Sequence, residues 1–265
     1  MLLGAALLLT GCRSTGQQLV SRPARHTIQA DHFTVMTNFR LKNKHPLITE
    51  LEEVRKQVTE TLDLPVDQHQ EQVSVYIFSS ELEYHQYLQA TYPGLPRRRA
   101  YFIGTPGELA VYTFWGDRIR EDLRHEFTHG ILHAGSKNVP LWLDEGLAEY
   151  FEVTHAGGTN DEYVERLTTA INNGWRPDIR RLERLEEVGQ MQRADYQEAW
   201  AWVHLMLHDV PQGRELLLSY LAELRTSAHP APFTDRLDAK FPGATTRLLD
   251  HIASLQSNGH WVGAK

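Results

Sequence analysis

The sequence predicts an α+β protein, with a small mixed half carrying a short sheet in residues 31–135 and a helical half in residues 136–260. Three observations carry this. Short runs of β-branched and aromatic residues with period-two alternation stop at about residue 113. Apolar residues recur at helical spacing from residue 118 onward. No internal repeat links the two halves, so they are different layers of one domain rather than copies of a unit.

In chain order, residues 32–37 read as a first strand, 46–62 as an amphipathic helix opened by Pro46, and 73–78 as a second strand. A helix over 81–90 follows. Two short strands over 100–103 and 109–113 are divided by the turn signal Gly104-Thr105-Pro106-Gly107. Helices are then expected over about 118–134, closed by Gly135, and about 140–154, closed by Gly157-Gly158. Further helical runs lie near 162–172, 196–208, 213–225 and 245–255.

The formal charge, 27 basic against 34 acidic residues, is -7, with no long run of either sign, which argues against a nucleic-acid partner. The one cysteine, Cys12, excludes an internal disulfide and a thiolate metal cluster. Residues 1–9 are almost wholly apolar and run into Leu9-Thr10-Gly11-Cys12, which resembles a bacterial lipobox. The apolar stretch is too short to span a bilayer and reads as a signal-peptide core, although no Lys or Arg follows Met1. The expectation is a signal peptide over 1–11, lipidation of Cys12, a polar tether over 12–30 and a place at the cell envelope, held to the membrane by acyl chains.

His125-Glu126-Phe127-Thr128-His129 matches the H-E-x-x-H pattern in a helical context. Residues four apart share one helix face, so both imidazoles reach one ion. Glu126 sits beside that ion rather than on it, where a carboxylate acts as general base toward a water whose pKa zinc lowers. The bland alternative is a surface helix with two unrelated histidines, in a chain that has 14.

A catalytic zinc needs a third protein ligand and an open position. Leu141-Trp142-Leu143-Asp144-Glu145-Gly146-Leu147-Ala148-Glu149-Tyr150 begins a second helix soon after the first ends, and Glu145 supplies the ligand if the two form a hairpin. Gly146 lets helices approach closely. Glu149, one turn on, suits the role of an acid that orients a ligand imidazole. A solvated acidic face is the competing reading, and the apolar frame of Trp142, Leu143 and Leu147 weakens it.

His125 to His129 followed by Trp142 to Tyr150 resembles the gluzincin metallopeptidases, most closely the peptidase-MA-like family with its W-L-x-E-G-x-A-E-Y segment. The resemblance implies a zincin-like fold, Zn²⁺ as cofactor, a peptide or protein substrate and peptide-bond hydrolysis. Carried over by position, His125, His129 and Glu145 are metal ligands, Glu126 is the base and Glu149 the supporting acid. The stretch between His129 and Glu145 is shorter than in the aminopeptidase and thermolysin-like branches, which implies a compact variant. Tyr196, opening the run Tyr196-Gln197-Glu198-Ala199-Trp200, is similar in position to a transition-state tyrosine of the aminopeptidase type. It reads equally well as an ordinary aromatic at a helix start.

Two rival functions share these residues: a non-catalytic envelope binding protein and a zinc amidase acting on cell-wall peptides. The intact Glu126 separates the first from an enzyme. His133 is expected to pack or support, and the pair His204 and His208 to be packed or exposed rather than a second metal site. The strand over 109–113 is expected at the rim of the site with one edge unpaired, offering backbone hydrogen bonds to an extended peptide.

Overall fold

The computed structural model describes residues 20–42, 44–65, 72–136, 138–153, 157, 159–209, 211–227 and 230–259. Cys12, the signal peptide and most of the tether lie outside them. No helix among the described residues is long and apolar enough to cross a membrane.

Five strands form one sheet: β1 (His26–Gln29), β2 (Phe33–Thr37), β3 (Val73–Phe78), β4 (Ala100–Thr105) and β5 (Glu108–Phe114), in the order β1-β2-β3-β5-β4. The β2-β3 and β3-β5 pairs are parallel and the outer pairs antiparallel. Period-two alternation decides the faces. Val35, Val75, Ile77, Leu109 and Val111 face one core, with α1 (Pro46–Thr61) and α3 (Ile119–Gly135). Tyr76, Phe78, Ala110, Tyr112 and Phe114 face the other, under α2 (Glu81–Thr91).

Two expectations need correction. The sheet begins inside the stretch assigned to a tether, because β1 pairs with β2 from His26 to Gln29. Only Ile28 of that strand is buried, so an edge strand of polar residues carries almost no apolar signal. The strand over 109–113 is interior, not a free edge, since β5 is flanked by β3 and β4 and Ala110 is 2 % exposed. The outer strand on that side of the sheet is β4.

The helical half follows as α4 (Leu141–Glu152), α5 (Asp161–Asn172), α6 (Ile179–Glu183), α7 (Arg193–His208), α8 (Pro211–Leu224), α9 (Phe233–Lys240) and α10 (Ala244–Gly259), with a 3₁₀ turn at Val188–Gln190. The chain is thus α+β as expected, with α3 between sheet and helices. Helix α7 starts three residues earlier than the sequence suggested: Gln192 and Asp195 cap it reciprocally, which places Tyr196 inside its first turn.

Helices α4 and α7 meet at Gly146. A Cβ there would lie 2.7 Å from the Ala199 carbonyl oxygen and 2.9 Å from its carbon, backbone atoms that cannot swing aside. Gly146→Ala gains helix propensity but overpacks this crossing, so a net loss of about 1–3 kcal/mol is expected. Thermal melting checks it, and an unchanged or raised Tm would show that the helices separate without cost.

Behind Gly146, α4, α7 and α10 enclose three imidazoles. His204 Nδ1 and His251 Nε2 are 2.8 Å apart, Thr159 Oγ1 lies 3.2 Å from His204 Nε2, and Tyr150 Oη lies 2.8 Å from His208 Nε2. Asp209 is the nearest acid, 4.0 Å from His251. The pair His204 and His208 is therefore packed, as expected. Burial, reinforced by His208 and His251, holds His204 down to about 3 from an ordinary 6.5. The unfolded chain then binds the extra proton between those two values. Stability is fully present above about pH 6.5 and falls as pH drops toward 3, by up to about 1.4 kcal/mol per unit. Tm should decline over this range in the native protein and decline less in His204→Gln; equal slopes would overturn the assignment.

Candidate metal centre

Helices α3 and α4 form an antiparallel hairpin, because contacts pair early residues of one with late residues of the other. Gly130 lets α3 lie close to the sheet, where a Cβ would meet Val73 at 2.8 Å. At the far end, Arg124 donates to the carbonyls of Glu152 and Val153 at 3.0 and 3.1 Å, binding the C-terminus of α4, whose last carbonyls lack helical partners. This buried arginine, one residue before the motif, clamps the hairpin.

The clamp brings three expected ligands together. Donor atoms of His125, His129 and Glu145 lie within 4.8 Å of one another. Both imidazoles turn Nε2 toward one carboxylate oxygen: His125 Nε2 is 3.5 Å and His129 Nε2 3.8 Å from Glu145 Oε2. That oxygen is buried without a hydrogen-bond partner among the described residues. An orphaned carboxylate oxygen costs stability unless something positive meets it. A metal ion coordinated by both Nε2 atoms and Glu145 satisfies it, so the residues present fit zinc.

The opposite ring nitrogens are occupied by other acids. His125 Nδ1 is 3.1 Å from Glu152 Oε2, and His129 Nδ1 is 2.9 Å from Asp144 Oδ1. Asp144 Oδ2 also meets His133 Nε2 at 3.0 Å. The His125–Glu152 hydrogen bond fixes the tautomer in which His125 Nε2 is free to ligate, whereas Asp144 faces His129 Nδ1 as an ion-pair neighbour without a formed hydrogen bond. Glu149 was expected in this role. Its carboxylate lies within reach of His125, but its hydrogen bond comes from Tyr163 Oη at 2.8 Å. The acids in contact with the rings are Asp144 and Glu152, which sequence reasoning passed over. Asp144 stands at the variable position of the W-L-x-E-G segment, so the motif assigns it no role. Glu152, the last residue of α4, lies two turns on from Glu145 on the same helix face, a spacing that could have pointed to it.

The electrostatics favour a cation. Burial alone would lower the His125 pKa, but Glu145 and Glu152 outweigh it and raise it well above 6.5. Burial likewise opposes charge on His129, yet Asp144 and Glu145 lift it to about 9. Asp144 falls below its usual range despite burial, because His129 and His133 face it. Burial pushes Glu149 up to about 7, against the pull of His125.

Glu126 stands outside the ligand set. Its Oε2 accepts from the Phe102 backbone N–H of β4 at 2.6 Å. A β4 amide pointing at α3 is one that β5 does not take, so the free edge of β4 faces the motif helix. Between them lies a cleft of about 470 Å³, lined by His125, Glu126, His129, Asp144 and Glu145, by Tyr101, Phe102 and Ile103, by Arg98, and by apolar residues including Leu95, Leu141 and Val188. Tyr196 is placed beside Arg98, which hydrogen-bonds it, and feels Glu145 and His125. Burial raises its phenol pKa, opposed by Arg98, so it remains an O–H donor at neutral pH.

A family model described as "Protein of unknown function (DUF1570)" matches residues 121–232. From the third residue of α3 to the residue before α9, the chain is similar to that family, and the matched segment contains His125, Glu126, His129, Glu145 and Tyr196. No curated protein matches the chain.

Proposed function

We propose that the protein is a zinc-dependent peptidase of compact gluzincin type, in which His125, His129 and Glu145 hold the metal and Glu126 is the general base. The observation that carries the reading is the buried, unpartnered Glu145 oxygen facing two imidazole nitrogens, beside Glu126, an acid outside that ligand set. A bound zinc supplies Lewis acidity toward a carbonyl and a water of lowered pKa.

The remaining work falls to the chain. Glu126 receives the proton lost by the attacking water and delivers it to the leaving amine, a role worth about 10²- to 10⁴-fold. Phe102 N–H holds that carboxylate beside the cleft. The Tyr196 phenol donates toward the oxygen that gains charge on attack. Asp144 and Glu152 keep the imidazoles in register, and β4 offers the free edge on which an extended substrate lies. Lipidation at Cys12, which would place this chemistry at the envelope membrane, belongs to the same proposal.

Metal analysis of the purified protein together with digestion of a peptide library by native protein and Glu126→Gln tests the reading. Zinc bound with every peptide intact would leave a binding protein; cleavage confined to cell-wall peptides would leave an amidase.

A further inference from the structure

Three consecutive arginines precede β4, and they differ in what they meet. Arg97 pairs with Glu81 at 3.2 Å. Arg99 pairs with Asp117 at 3.2 Å and Asp122 at 3.1 Å. Arg98 pairs with no carboxylate among the described residues; its guanidinium hydrogen-bonds Tyr196 and sits 5.9 Å from the centre of the Tyr101 ring. Among the described residues it is also the one lysine or arginine lining the cleft. Of the acids lining that cleft, Glu126 takes the Phe102 amide, Asp144 faces His129 and His133, and Glu145 faces the two ligand imidazoles, reaching Arg98 through its field without pairing with it.

A guanidinium held by a phenol and a ring, with no acid of its own, keeps its fork of N–H donors for a ligand. Its surroundings narrow the ligand class. Leu95 and Val188, 41 % and 36 % exposed, are two of the few large apolar side chains the fold leaves in solvent, and both line this same cleft. We propose that Arg98 is the substrate-recognition residue of the cleft, binding a carboxylate of the peptide while Leu95 and Val188 take an adjoining apolar side chain. This rests on the peptidase reading of the site and names its substrate class: peptides that present a carboxylate, from an acidic side chain or from the chain terminus.

The rival role for Arg98 is to position Tyr196, and it is separable. Binding is measured by fluorescence anisotropy in the zinc-loaded Glu126→Gln protein, where turnover does not intrude. One labelled peptide is prepared in matched forms: Glu against Gln at internal positions, and free acid against amide at the C-terminus. Carboxylate forms should bind on the order of 10- to 100-fold more tightly than their amides, the range of a charge-assisted hydrogen bond. Arg98→Gln should erase that difference while leaving amide affinity, zinc content and Tm unchanged, and Arg98→Lys should restore part of it, because the ammonium keeps the charge but not the fork. Whichever matched pair shows the effect identifies the source of the carboxylate.

Three results would overturn the proposal: no preference in the unsubstituted site, an equal loss for acid and amide peptides in Arg98→Gln, or no binding by any peptide of the set. Hydrolysis by the native protein is assayed separately. A carboxylate preference without cleavage would sink the peptidase reading and leave the recognition role standing.

Discussion

Glu126→Gln is expected to lower kcat/KM for peptide hydrolysis by about 10²- to 10⁴-fold, the range of a lost general base, with zinc content and Tm unchanged. The amide keeps the size of the carboxylate but accepts no proton. It also keeps a carbonyl oxygen able to accept the Phe102 N–H, so the link between α3 and β4 survives. The loss should fall on kcat, since Glu126 binds neither metal nor, on this reading, the ground-state peptide. Activity within a few-fold of the native protein would remove the base from Glu126, and a collapse of Tm would show that its contact with β4 is chiefly structural.

His129→Ala and Glu145→Ala are each expected to empty the site of zinc and abolish hydrolysis. A catalytic site of three protein ligands has none to spare. Both variants should also cost the metal-free protein stability. Glu145 is the carboxylate facing both imidazoles, which hold its pKa below the ordinary value despite burial, so its removal leaves two buried imidazoles with less opposing charge and should cost about 1–3 kcal/mol. Removing His129 strips Asp144 of one of its two imidazole neighbours while that carboxylate stays largely buried, and should likewise cost about 1–3 kcal/mol. Metal analysis and chelator-treated melting curves on the same preparations check both parts. Full zinc in Glu145→Ala would mean that the third ligand is misassigned, with Glu149 and Glu152, the other acids beside His125, as the first candidates.

The sequence by itself determined what depends on local spacing. Two histidines four apart on a helix must share a face, and the apolar frame of Glu145 weighed against its lying on a solvated face. Both statements hold before any helix is placed against another. The same logic made the α+β architecture legible, because period-two runs and helical runs occupy separate halves of the chain.

Tertiary structure decided which groups meet once elements are apposed. The Gly104–Gly107 turn showed that β4 and β5 pair but not which of them meets β3. The parallel pairing with β3 falls to β5, which buries both faces, whereas β4 buries only Ala100 and Tyr101. A strand apolar on both faces belongs in the sheet interior, and that signal stood in Leu109 to Phe114. Which acids orient the imidazoles was only partly legible: Glu152, seven residues on from Glu145, shares its face, but nothing local ranks it above Glu149. Glu149 lies one turn from Glu145, but the crossing of α3 on α4, locked by Arg124 and by Gly146 against Ala199, turns His129 to Asp144 and His125 to Glu152. Helical periodicity says which residues share a face. The angle and depth at which two faces meet are set by packing between residues far apart in the chain, and these select the carboxylate that each ring nitrogen touches.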